Sequence, residues 1–243
     1  MKKSILLSLI LLSLTAVSCR RLAAFLPNTY DGNGTITSDV RTPGTFASLE
    51  LDGAYNVVLT QGSTSEVRVE TDQNLLGHIK TSVQDGKLVV ESDGNLLPSK
   101  RITLYITSPN YSSIEANGSA DIRSTTPITA PELKLALNGS GSYTLGLNVN
   151  HLTSEIEGAG TITLSGTARE HSIEIDGSGN LLTDQLAVDT ASIEISGSGD
   201  ASMNVASRLE AAISGSGRVR YRGPVTDIHT DISGSGSVSR LRE

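Results

Sequence analysis

From about residue 111 onward, apolar and polar residues alternate in short runs such as Ser172-Ile173-Glu174-Ile175-Asp176 and Ser192-Ile193-Glu194-Ile195-Ser196. A period of two marks strands with one buried face. The runs are phased by a tripeptide, Gly-Ser-Gly or Gly-Ala-Gly, that begins at Gly139, Gly158, Gly177, Gly197, Gly215 and Gly234. A degenerate copy, Gly118-Ser119-Ala120, precedes them, and the intervals are 21, 19, 19, 20, 18 and 19 residues. Two positions before the first glycine stand Ala116, Leu137, Ile156, Ile175, Ile195, Ile213 and Ile232; four positions after it stand Ile122, Tyr143, Ile162, Leu181, Ala201, Val219 and Val238. One residue type at one offset, once per repeat, predicts a parallel solenoid in which each coil of about 19 residues lies on the last and like side chains stack in ladders. The glycines supply the sharp corner that every rung needs.

Residues 31–110 use the same strand alphabet without clean phasing. Ala54–Thr60, Glu66–Glu70, Lys87–Glu91 and Arg101–Thr107 are predicted strands, Gln84-Asp85-Gly86-Lys87 a hairpin or corner, and Asn74–Ile79 carries weak helical periodicity. The fold class expected is all-β: a parallel β-helix or solenoid with rungs of about 19 residues, one domain over 34–243, regular from about residue 111 and capped by an irregular N-terminal part.

Composition narrows the function. With 19 Lys+Arg against 26 Asp+Glu the net charge is −7, so the chain lacks the basic face that nucleic acid requires. A single cysteine excludes a disulfide framework or a CxxC metal site. That cysteine has a special place. Lys2 and Lys3, the apolar run Ile5–Leu12 and the small residues Ala16-Val17-Ser18 read as a secretory signal over 1–18, and the run is too short to span a bilayer. Cys19 directly after it resembles a bacterial lipobox, which implies lipidation of Cys19, a tether over 19–33 and a membrane partner. An Asp after such a cysteine marks inner-membrane retention; Arg20 stands there, so the outer membrane is expected.

The stretches Gly34-Thr35-Ile36-Thr37, Phe46–Gly53 and Tyr55–Gly62, with the Gly-Ser-Gly array downstream, resemble the bacterial family called "putative auto-transporter adhesin, head GIN domain", common among Bacteroidetes lipoproteins. The resemblance covers roughly residues 34–240. It implies a right-handed β-helical domain whose adhesive role is inferred from shape, and it brings no catalytic residues.

Candidate chemistry is sparse. Stacked rungs would align Glu155, Glu174 and Glu194 about 5 Å apart, either as a solvated acidic strip that keeps the rod soluble or as a ladder for Ca²⁺, the one cofactor the pattern suggests. Arg218, Arg220 and Arg222 share one face of a strand and read as charge that blunts the last rung or as a surface for an anionic partner. His151 and His171 lie on adjacent rungs but point to opposite faces, and His171 falls at an apolar offset, as a core histidine. There is no Gly-x-Ser-x-Gly elbow, and Gly32-Asn33-Gly34 lacks the third glycine and the helix of a phosphate loop. A carbohydrate-active enzyme would want paired carboxylates and aromatic platforms, and only 3% of residues are aromatic. The reading is a non-enzymatic cell-envelope lipoprotein that works as an adhesin-like binding or structural module, its partner a cell-surface glycan or an envelope protein. The alternative is a polysaccharide lyase or hydrolase.

Overall fold

The computed structural model describes residues 28–241. In chain order the strands are β1 (Thr29–Asp31), β2 (Ile36–Arg41), β3 (Ser48–Gly53), β4 (Tyr55–Gln61) and β5 (Glu66–Asp72). After a 3₁₀ turn at Leu76–His78 come β6 (Ile79–Gln84), β7 (Lys87–Ser92), β8 (Asn95–Leu97) and β9 (Ile102–Ser108). The repeats follow as β10 (Ser113–Gly118), β11 (Asp121–Ser124), β12 (Ile128–Gly139), β13 (Ser142–Gly158) and β14 (Thr161–Gly177). The last are β15 (Asn180–Gly197), β16 (Asp200–Gly215), β17 (Arg218–Arg222), β18 (Asp227–Gly234) and β19 (Ser237–Arg240).

The repeats stack as the spacing predicts, in a β-solenoid of about seven turns with rungs of roughly 19 residues. Parallel pairing sets Gly118, Gly139, Gly158, Gly177, Gly197, Gly215 and Gly234 in one column. The pairing adds a member that the spacing does not reveal, Gly53, which lies against Gly118. Gly177 shows why the column is glycine. Its φ is +112°, and a Cβ would stand 2.7 Å from the carbonyl oxygen of Gly158 in the rung below. That carbonyl accepts a hydrogen bond from the Ser178 N–H at 2.8 Å, so the ladder runs unbroken through the corner. The second glycine of the tripeptide is required for a different reason. A Cβ on Gly179 would meet Cγ2 of Ile156 at 2.4 Å. Gly179 leaves room for the isoleucine of the rung below, which couples the tripeptide to the apolar ladder.

Inside, Ile156, Ile175, Ile195 and Ile213 are at most 2% exposed and pair directly, rung on rung. Between the glycine corners each long strand carries a second bend, paired rung to rung on both sides. In β13 the buried positions change parity between Val149 and Leu152, across the outward pair Asn150-His151; β14 does the same between Ala168 and His171, and β15 between Val188 and Ala191. Differences in repeat length are taken up between the glycines and not at them: the register shifts between Thr163 and Ser165, between Thr183 and Ala187 and, within the β15 bend, between Val188 and Thr190.

The N-terminal cap is stacked out of chain order. β3–β4 lies between β10–β11 on one side and β7 and β9 on the other, all in parallel register. Beyond them the pairing turns antiparallel: β5 on β9, β2 on β5, and β6 on β7. The β6–β7 turn is the predicted Asp85-Gly86 hairpin, with φ of 51° and 75°. The weak helical signal is only the 3₁₀ turn. The fold also begins before residue 34: Thr29–Asp31, expected in the tether, pairs with Asn95–Leu97. The expected signal segment and Cys19 lie outside the described residues.

Candidate functional site

Outward side chains of four neighbouring strands form a groove of about 560 Å³ on the N-terminal half of the rod. The register builds it as two columns, Thr103–Asn56–Asp121–Ser142 and Tyr105–Val58–Arg123–Thr144, contributed in order by β9, β4, β11 and β13. Val58 is short and sits between two long neighbours, so it becomes the floor, 6% exposed although it points away from the core. Tyr105 carries the Arg68 guanidinium 3.6 Å above its ring. Asp121 accepts from the Ser142 hydroxyl at 2.6 Å and pairs with Arg101. The Arg123 guanidinium, exposed at the rim, makes no hydrogen bond or ion pair among the described residues. The groove thus offers an aliphatic floor, a phenol ring, an amide, hydroxyls and one uncommitted cation. Repeat phasing hides it, because β9 and β4 come from the unphased half.

The three predicted acids do meet. Glu155 pairs with Glu174, and Glu174 with Glu194. Lys134 holds Glu155 at 2.8 Å, and Ala212 follows Glu194 in the column. A second outward acidic column, Glu157 on Asp176, runs beside it, yet among the described residues no three His, Cys, Asp or Glu side chains converge as a metal-holding group.

Arg218, Arg220 and Arg222 share the face of β17 as expected, yet two are engaged. Arg218 makes a fork with Asp200, at 2.9 and 2.6 Å, and its hydrogen bonds hold the Asp200 carboxyl below its usual range against the opposing effect of burial. Arg222 donates to the Asp184 carbonyl. Arg220 alone of the three points out without a hydrogen bond or close ion pair among the described residues, its charge acting on Asp200 only at longer range.

The histidines divide as predicted. His151 is exposed and lies 2.9 Å from Glu170, whereas His171 is 2% exposed and shares a 2.9 Å hydrogen bond with the buried Ser154 hydroxyl. Burial pushes the His171 pKa down to about 3. A folded value below the unfolded one, about 6.5, gives stability that is complete above pH 6.5 and is lost as the pH falls toward the folded value. The unfolding free energy should drop by roughly 2–3 kcal/mol more between pH 6 and pH 4 in the wild type than in a His171→Leu/Ser154→Ala variant, since each pKa unit corresponds to about 1.4 kcal/mol. Denaturant titrations at the two pH values give that difference directly.

One buried acid is not signalled by the sequence pattern. Asp72, fully buried, accepts from the Gly34 N–H (2.6 Å), the Ser99 N–H (2.8 Å) and the Ser99 hydroxyl (2.7 Å). Desolvation alone would raise its pKa; the Ser99 and Gly34 donors outweigh that and hold it below the usual carboxylate range. The Gly32-Asn33-Gly34 loop thus packs on the Asp72 carboxylate, giving it one donor, the Gly34 N–H, and leaving no room for a Cβ at Gly32. Asn74 accepts from the Asn33 N–H at 3.0 Å.

Together these features define a rigid β-solenoid with ladders of polar side chains on its outside and a groove where the regular rungs meet the cap. The chain belongs to the family described as "putative auto-transporter adhesin, head GIN domain", whose model matches residues 45–224. Among solved structures, one described as a putative adhesin from Bacteroides fragilis is similar with a TM-score of 0.84 at 22% identity, over 87% of this chain and 100% of that one. A putative adhesin from Parabacteroides distasonis gives 0.73 at 24% identity, over 88% and 100%. A protein from the same species described as a putative lipid binding protein gives 0.72 at 20%, again over 88% and 100%. At these identities the likeness establishes the fold. None of the curated proteins compared with the chain matches it.

Proposed function

We propose that the chain is a non-enzymatic envelope module of adhesin type, anchored through a lipidated Cys19 at the outer membrane, that binds a cell-surface glycan through its outer face. The groove at Tyr105, Val58 and Arg123 is the observation that carries this reading. Pyranose rings pack apolar faces on aliphatic and aromatic side chains and take hydrogen bonds from amides and hydroxyls around them. Arg123 adds a donor fork for an acidic substituent. The alternative, a lyase or hydrolase, would want a second carboxylate facing the first across the scissile bond. The groove lining holds a single acid, Asp121, already bonded to Arg101 and Ser142. Weak contacts repeated over many anchored copies supply avidity.

The test is a glycan array probed with the wild type and with a Tyr105→Ala/Arg123→Ala variant, together with protease shaving of intact cells. The expected result is binding without released reducing ends, weakened at least about tenfold by the double substitution, and loss of the protein from shaved cells. Liberated oligosaccharide would establish the enzyme instead, and binding indifferent to both substitutions would remove the groove from the function.

A further inference from the structure

The two ends of the rod are finished differently. At the N-terminal end the stack closes with short antiparallel strands, and Arg41 ties β2 to the carbonyls of Ile79 and Leu76 at 2.6 and 2.9 Å. At the other end β18 pairs with β16 along one edge, and among the described residues no strand takes its second edge. All eight residues of β18 are exposed. Two of them belong to the core ladder: Ile228 stacks on Leu209 and Ile232 on Ile213, yet they are 41% and 40% exposed. An edge strand with unpaired backbone groups beside an uncovered apolar ladder is a template for another strand.

We propose that this edge is a dimer interface, closed by β18 of a second copy of the chain in antiparallel pairing about a two-fold axis at Thr230. Register selects this arrangement from its neighbours. Directly opposed residues in an antiparallel pair point to the same face, so a shift by one residue would set the inward Ile228, Thr230 and Ile232 against outward residues and is excluded. Of the even shifts left, centring on Ile228 pairs only Asp227 to His229 of the strand and centring on Ile232 only Thr230 to Gly234. Centring on His229 opposes Asp227 to Asp231 and centring on Asp231 opposes that residue to its own copy, so both of these place like charges face to face. Centring on Thr230 sets Ile228 against Ile232 on the inner face and His229 against Asp231 on the outer face, twice each by symmetry. Neither His229 nor Asp231 has a side-chain partner among the described residues of the single chain. The arrangement continues the apolar ladder of one rod into the other and satisfies both exposed edges, the self-complementarity that an isologous interface requires.

Sedimentation equilibrium of the full chain tests the interface and its register at once. The wild type is expected to reach the mass of a dimer. His229→Asp alone opposes acid to acid, Asp231→His alone opposes histidine to histidine, and each should raise the dissociation constant at least about tenfold. The double swap H229D/D231H restores opposite partners in this register alone and should restore the dimer. Because both positions are exposed, circular dichroism at low temperature should show all variants with the same β-sheet signal, the single swaps melting somewhat lower because dimerisation no longer stabilises them. A monomer at every concentration reached, a dimer indifferent to the single swaps, or a double swap no better than the singles would overturn the proposal.

Discussion

Replacing Gly177 with alanine is expected to cost about 4 kcal/mol of stability, more than any single substitution of an outward residue. Two penalties act together. A φ of +112° is strained for any residue with a Cβ, at about 1–3 kcal/mol. The new carbon would also lie 2.7 Å from the Gly158 carbonyl oxygen, a backbone atom that already holds the Ser178 N–H, so relief means prising two rungs apart, at about another 1–3 kcal/mol. Gly179→Ala should cost a similar amount by a different route, because its Cβ meets an isoleucine methyl at 2.4 Å. Ser178→Ala between them should change stability by less than about 0.5 kcal/mol. Urea unfolding followed by far-UV circular dichroism separates the three. A solenoid couples each rung mainly to its neighbours, so a broader transition in the two glycine variants is the accompanying sign.

Asp72→Ala should be nearly as damaging, and locally so. The substitution takes the shared acceptor from the Gly34 N–H, the Ser99 N–H and the Ser99 hydroxyl. Hydrogen bonds to a charged group contribute about 1.5–3 kcal/mol each, and because Gly34 and Ser99 are exposed residues that water can reach the low end applies, for a total of about 4 kcal/mol. Hydrogen exchange should rise first at the Gly34 and Ser99 amides, while the amides of β14 and β15 stay protected. The pH profile gives a second reading. Because the folded carboxyl titrates below the ordinary range, its contribution is present above the unfolded pKa of about 4 and disappears as the pH falls through the folded value. The wild type should therefore lose its advantage over Asp72→Ala in strong acid.

These two positions show how unevenly the structure is written in the sequence. Gly177 is legible because the requirement it meets recurs in every rung, so period, apolar offset and corner announce themselves together. The stacked column Glu155, Glu174 and Glu194, and the burial of His171, follow from the same phasing. Asp72 serves one loop once. Nothing in Glu70-Thr71-Asp72 sets it apart from an exposed strand end, although the close glycines of Gly32-Asn33-Gly34 could have prompted a search for an acid packed against them. The groove was illegible for a topological reason: Tyr105 and Val58 are neighbours of Arg123 only because β9 and β4 join the stack out of chain order, and no local spacing encodes that. The arginines of β17 show a third limit. Alternation placed all three on one face, but the partners of Arg218 and Arg222 come from two earlier strands, Asp200 of β16 and Asp184 of β15.

The interleaved cap also bears on how the chain reaches its native state. Each regular rung finds its partner about 19 residues away, whereas Leu51 must wait for Ala116, 65 positions later (116 − 51 = 65), and Val57 for Leu104 and Ile122. Loops that long close slowly. The rung β3–β4 therefore stays unsandwiched until residues 102–122 have emerged, after which later coils can add one at a time onto a finished template. Assembly should run outward from that junction toward the C-terminus, with docking of β3–β4 as the slow step.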